Sequence, residues 1–170
     1  TVTAYKPGMT LAEAGRRAGR HDLSKLASNE NLLGPSPTVA DAVMAAMAHP
    51  EIYPDPYCET LRDALGAHLA VDPARIVVSP GSEALIDYLF RAVIAPGDTI
   101  LMSSPTFPAY EIFARCAEAT ILDVPRLANF DLDVEAFKVE AAKGPKLLVL
   151  CTPNNPTGNA LTGVDIGEIL

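Results

Sequence analysis

Tryptophan is absent from this chain, aromatic residues make up only 6%, and cysteine occurs three times, at Cys58, Cys116 and Cys151. An odd number of cysteines with no Cys-x-x-Cys spacing supports neither a disulfide framework nor a zinc site, and fits a reducing compartment. Basic residues are scarce, 13 against 21 acidic ones for a formal charge of −8. That balance speaks against grip on a phosphate backbone, which needs clustered Lys and Arg. No uninterrupted apolar run approaches the roughly 18 to 20 residues that cross a bilayer, and the N-terminus lacks the charged-then-apolar order of a signal peptide. His21, His49 and His68 are scattered, and Asp55 and Glu59 have no partner at metal or glycosidase spacing. The expectation is a soluble, cytoplasmic protein.

What remains is ample material for one globular domain: 170 residues, 49% hydrophobic and 20% charged, enough for a real core. Residues 1–37 carry Tyr5-Lys-Pro-Gly8, a basic cluster at Arg16, Arg17 and Arg20, and Pro35 and Pro37, with little apolar periodicity after Ala14. This stretch reads as an arm lying on another surface. Val39, Ala42, Val43, Ala46 and Met47 recur at helical spacing, with Thr38 and Asp41 resembling an N-cap signal. Leu61, Leu65 and Leu69 predict a second helix after the breaks at Pro54 and Pro56.

From Arg75 onward short apolar runs alternate with helical patterns. Strands are predicted over 75–78, 98–102, 120–124 and 146–150. Helices are predicted through Leu85 to Val93, over 107–118 and over 134–143, the last capped by Asp131 and Asp133. The alternation implies parallel crossovers and an α/β sheet covered on both faces, a three-layer α/β/α domain over 38–170 behind an arm over 1–37.

In such sheets ligands bind beyond the carboxyl ends of the strands, where helix N-termini point unpaired N–H groups into a shared crevice. Three predicted strand ends are unusually built. Ser79-Pro-Gly-Ser-Glu83 joins a glycine to a helix start. Ser103-Ser-Pro-Thr-Phe107 delivers an aromatic ring. Cys151-Thr-Pro-Asn-Asn-Pro-Thr-Gly158 places Asn155 ahead of a proline, which keeps it out of the helical region. Each has a plain alternative: a cap, a core ring and a surface turn. Together, in this order, they offer a phosphate seat, a flat apolar face and an amide, a set that suits a planar phosphorylated ring. A nucleotide-binding α/β module is the alternative from another class, although the chain lacks the Gly-x-Gly-x-x-Gly turn and the P-loop Gly-Lys pair.

These motifs, with Leu26-Ala-Ser-Asn-Glu-Asn31, Leu33-Gly-Pro-Ser-Pro37, Tyr53-Pro-Asp-Pro56 and Pro153-Asn-Asn-Pro-Thr-Gly158, resemble the fold-type I, pyridoxal 5'-phosphate (PLP) dependent aminotransferases of classes I and II, in particular the histidinol-phosphate aminotransferase-like group. The resemblance covers essentially the whole chain. It implies the aspartate aminotransferase-like large domain and transfer of an amino group between histidinol phosphate, or an aromatic amino acid, and 2-oxoglutarate, within histidine biosynthesis. It implies that Asn155 bonds the pyridoxal phenolic oxygen while Asn154 shapes the turn. Phe107 would stack on the pyridine, and Gly81, Ser82 and Glu83 would hold the phosphate. Tyr53 would reach the phosphate of the neighbouring subunit of a homodimer. Tyr5 and Asn29 match substrate-side positions.

Two departures stand out: Leu32 replaces a usual proline, and Gly81-Ser-Glu-Ala84 replaces Gly-Ser/Ala-Asp-Glu. The resemblance also implies a Schiff-base lysine that none of Lys6, Lys25, Lys138, Lys143 and Lys146 matches. The expectation is therefore the N-terminal half of a longer enzyme, inactive by itself. A threonine-phosphate decarboxylase or a C–S lyase of the same fold would share nearly every motif, and a non-catalytic interaction module is a further alternative for the isolated segment.

Overall fold

Thr99–Met102 (β1), Thr120–Asp123 (β2) and Leu147–Leu148 (β3) form a parallel sheet in the order β2-β1-β3. They belong to a computed structural model that describes residues 8–170. Ile100 lies opposite Ile121 and Leu147, and Leu101 opposite Leu122 and Leu148. Successive side chains point to opposite faces, so these two rows serve two separate cores.

On one face Ile100, Ile121 and Leu147 meet Phe90 and Ile86 of α4 (Ser82–Val93) and Phe113 and Ala114 of α5 (Pro108–Cys116). The Phe90 and Phe113 rings meet edge to face at 6.5 Å. On the other face Leu101, Leu122 and Leu148 meet Phe137 of α6 (Val134–Ala141) and Ile169 of α7 (Gly163–Ile169). The result is three layers with β1 at the centre. Its Ile100, Leu101 and Met102 are all buried, which is why β1 reads as a continuous apolar run rather than an alternation.

Local signals decide the helix starts. Asp133 Oδ1 accepts from Ala136 N at 3.0 Å, and Thr162 forms a reciprocal box with Asp165. Asp131 does not cap α6 as expected. Asp133 occupies the one position from which a side chain reaches the first turn, and Asp131 instead accepts from Asn159 Nδ2 at 2.7 Å and Asn129 Nδ2 at 2.6 Å.

The strand expected over 75–78 is also absent. Pro73–Arg75 forms a 3-10 turn, Ile76 N bonds back to Pro73 O, and Val77 is 70% exposed. A β-branched run becomes a strand only when a neighbour supplies the ladder, and no described strand pairs with it.

The described residues fall into two compact units, one running from Val78 to Leu170 and the other reaching to Val77. The latter holds α1 (Leu11–Ala18), α2 (Pro37–Ala46) and α3 (Glu59–Leu69). Helix α1 escaped the apolar pattern because its ends carry it: Thr10 Oγ1 accepts from Glu13 N, and Gly19 closes the helix in the left-handed region at φ 62°. Helix α2 starts at Pro37 rather than after Thr38, with Ser36 before it. Proline's fixed φ suits the first helical position, where its missing N–H costs nothing. Asp55 accepts from Tyr57 N at 2.9 Å and Glu59 N at 2.6 Å. Those two amides hold its carboxyl below the usual carboxylate range. Among the described residues no helix is long and apolar enough to cross a membrane.

Candidate active site

Parallel strands bring the tips of β1, β2 and β3 to one edge of the sheet. Helix α4 runs back along the sheet before residues 94–98 lead into β1, so its first turn belongs to the same edge.

The loop after β1 is pinned from β2. Asp123 Oδ1 accepts from Ser104 N at 2.8 Å and its second oxygen accepts from the Ser104 hydroxyl, while Arg126 N donates to Ser104 O at 3.0 Å. Phe107 then opens α5 with extended backbone, φ −61° and ψ 122°, and Pro108 follows at the first helical position. The Phe107 ring is half-buried and meets Tyr110 edge to face, 5.9 Å between centroids at 88°.

The loop after β3 is organised by Asn154, a polar residue only 3% exposed. Its Nδ2 donates to Pro105 O at 3.1 Å and Thr157 Oγ1 at 2.8 Å, and its Oδ1 accepts from Thr106 Oγ1 at 2.8 Å. Its backbone N donates to Asn159 O and its carbonyl accepts from Gly158 N, both at 2.7 Å. The buried amide is therefore satisfied on both sides, as a buried polar group must be. The Ser104–Pro105, Thr152–Pro153 and Asn155–Pro156 peptide bonds are cis. Next to this clamp, Asn155 is half-buried.

At the α4 entry Gly81 has φ 96° and ψ 161° and provides no side-chain cap. The helix ladder cannot use the N–H groups of Ser82 and Glu83, which stay available to an outside acceptor. A Cβ at Gly81 would meet nothing within 4 Å. Backbone conformation rather than space therefore demands glycine. Gly81→Ala is expected to cost about 1–3 kcal/mol, the strain of a side chain in that region. Gly167→Ala inside α7, also with open space and no positive φ, is expected to gain about 0.5–1 kcal/mol. Urea midpoints of the two variants should move in opposite directions, and movement in the same direction would contradict the assignment.

Burial, together with the Cys151 thiol beside it, pushes the Tyr110 phenol up to about 12. Because that exceeds its ordinary 10.0, the neutral phenol's contribution to stability is complete below about pH 10 and is lost as pH rises toward about 12. Tyr110→Phe is expected to flatten the alkaline fall in urea midpoint across that window. An unchanged slope would show that the phenol does not titrate against the fold.

The structure joins the loops of Phe107 and Asn155 through Asn154. No hydrogen bond links the α4 entry to either loop among the described residues. Tyr53, 96% exposed, and Asn29, exposed with φ 52°, lie in the unit that ends at Val77; Tyr5 lies outside the described residues. Sequence reasoning passed over Thr106, Asp123 and Tyr110, whose roles come from partners distant in the chain. It also missed Ser103, whose hydroxyl is buried at the tip of β1 without a hydrogen-bond partner. Three lysines are held in ion pairs: Lys25 with Glu30, Lys138 with Glu135 at 3.0 Å and Glu168 at 3.6 Å, and Lys143 with Glu140 at 2.6 Å.

A model of the aminotransferase class I and II family matches residues 21–170. The chain belongs to this family. As a class I and II aminotransferase sequence it is 73% identical over 169 residues to histidinol-phosphate aminotransferase 2 of Caulobacter vibrioides, covering 99% of this chain and 45% of that protein. The crystal structure of histidinol-phosphate aminotransferase from Sinorhizobium meliloti in complex with pyridoxal-5'-phosphate matches with TM-score 0.84 at 24% identity, over 96% of this chain and 45% of that one. A single mutant of Thermus thermophilus aspartate aminotransferase matches with TM-score 0.77 at 30% identity, over 98% and 47%. The three layers are those of the aspartate aminotransferase-like fold, in a chain that spans about half the length of the curated relatives it matches.

Proposed function

We propose that the intact protein is a PLP-dependent aminotransferase whose amino donor is histidinol phosphate and whose acceptor is 2-oxoglutarate, with aromatic amino acids as the second donor class. The observation that carries this reading is the Asn154 clamp, which binds the loop of Phe107 to the loop of Asn155 at the carboxyl edge of the sheet. The family membership and the name of the Caulobacter relative support the donor.

The residues present fit the cofactor. The uncapped first turn of α4, with Gly81 leaving open space beside it, offers Ser82 and Glu83 N–H groups and a helix dipole to a phosphate. Phe107 offers a half-buried face for stacking. Among the described residues the Asn155 carboxamide makes no hydrogen bond of its own and is free to donate one to the ring oxygen, a charge-assisted bond worth about 1.5–3 kcal/mol. When bound, PLP supplies the electron sink and the carrier for the transferred amino group. The chain's own residues bind and orient it. Lys25, Lys138 and Lys143 are paired with carboxylates, and Lys146 lies before β3 beside Thr99, at the strand-start edge away from Phe107 and Asn155. With none of these placed at the site, we assign the lysine that moves protons at the substrate to another part of the intact protein.

Residues 1–37 are proposed as an arm and 38–170 as the first part of the large domain. Tyr53 would reach the phosphate of a second subunit in a cytoplasmic homodimer, while Tyr5 and Asn29 would face the substrate. The test is to incubate the intact protein with PLP, histidinol phosphate and 2-oxoglutarate and to follow glutamate. Glutamate formation from histidinol phosphate is the expected result. Carbon dioxide or sulfide release from other amino acids without glutamate would instead favour the decarboxylase or lyase chemistry of the same fold.

A further inference from the structure

The ladder between β1 and β3 ends early. Its last bond runs from Val149 N to Leu101 O at 2.9 Å, and beyond it no backbone hydrogen bond joins the loop 103–107 to the loop 150–158 among the described residues. The two are joined through one side chain, Asn154, by its bonds to Pro105 O and Thr106 Oγ1. Each residue of the Thr106–Asn154 pair, 48 positions apart, immediately precedes one of the two residues assigned to the cofactor ring. Consecutive Cα atoms are about 3.8 Å apart, so a rotation at either partner passes directly to Phe107 or Asn155.

From this geometry we propose that Thr106 is a positioning residue: by donating its hydroxyl hydrogen to Asn154 Oδ1 it sets the distance between the Phe107 ring and the Asn155 carboxamide. The proposal rests on the cofactor reading given above and deepens it. Two features support it. Both Nδ2 hydrogens of Asn154 are already committed, to Pro105 O and Thr157 Oγ1, so the amide cannot flip to compensate for a missing donor. The β-branched Thr106 is also stiff at χ1, which makes its hydroxyl a fixed post. Without that donor a buried oxygen is left unpaired, and the clamp must turn or admit water. Either movement changes the gap in which the ring would sit.

The test is a double-mutant cycle on PLP affinity in the intact protein. Thr106→Val is expected to raise the PLP Kd about tenfold, the ratio that accompanies one lost buried hydrogen bond. Thr106→Ser, which keeps the donor, should stay within about twofold. In a Phe107→Ala background Thr106→Val should have almost no further effect on Kd, because contacting residues couple. Its effect on the urea midpoint should persist there, since Asn154 is orphaned in both backgrounds. An equal loss of affinity in both backgrounds, or full affinity in Thr106→Val, would overturn the positioning role. If the unsubstituted protein shows no PLP binding at all, the cofactor reading itself fails and the proposal fails with it.

Discussion

Phe137→Ala is expected to lower stability by about 3–5 kcal/mol, the range for truncating a large ring in a core that cannot close around the gap. Phe137 is fully buried on α6 against Leu101, Val124, Leu132 and Ile169, contributed by a strand, two loop segments and another helix. No single neighbour can move to fill the space without disturbing the rest. Total stabilities are about 5–15 kcal/mol, so this loss is a large share. Val139→Ala is the control two residues along the same helix, on its outward side: Val139 is 64% exposed, and about 0.5 kcal/mol is expected. Urea midpoints of the intact protein and both variants decide the matter. Equal shifts would mean that the face of the sheet covered by α6 is not a packed core.

Asn154→Leu is expected to cost about 3 kcal/mol and to weaken PLP binding as well. Leucine keeps the branched outline of the amide, but its methyl groups are bulkier, so in this buried site overpacking only adds to the loss of the hydrogen bonds. What disappears is one acceptor and two donors, leaving Pro105 O and the hydroxyls of Thr106 and Thr157 without their partner. A net loss of about 1 kcal/mol for each gives the total. The backbone bonds of residue 154 to Asn159 and Gly158 remain, so the turn itself should persist. Asn154→Asp should be worse than its similar shape suggests, since a carboxylate would face the Pro105 carbonyl in a nearly dry site. A leucine variant with unchanged urea midpoint and PLP affinity would remove Asn154 from the account of both fold and site.

The legible part of the fold was the part written in local pattern. The runs at 98–102, 120–124 and 146–150 became β1, β2 and the short β3, because a parallel sheet covered on both faces demands continuous apolar strands. Helices α3 to α6 followed from their apolar spacing. The run at 75–78 carried the same signal without becoming a strand, since pairing depends on a neighbour that apolar pattern does not supply. Helix α1 carried a weak apolar signal and formed through its caps. The Asp131 assignment failed for a related reason: a carboxylate near a helix start serves whichever donor reaches it, and here that donor is Asn159, 28 residues away.

The order of residues in the chain was by itself enough to establish an alternating α/β architecture, to point at the strand tips, and to single out Gly81, Phe107 and Asn155, because propensity, periodicity and proline restraint act over a few neighbouring positions. Only the folded chain decided that Asn154 ties two of those tips together, that Thr106 and Asp123 hold them, and that Gly81 occupies a backbone region closed to other residues. Those are matters of distance between groups far apart in sequence, and hydrogen bonds between buried partners are chosen by where the packed sheet brings them.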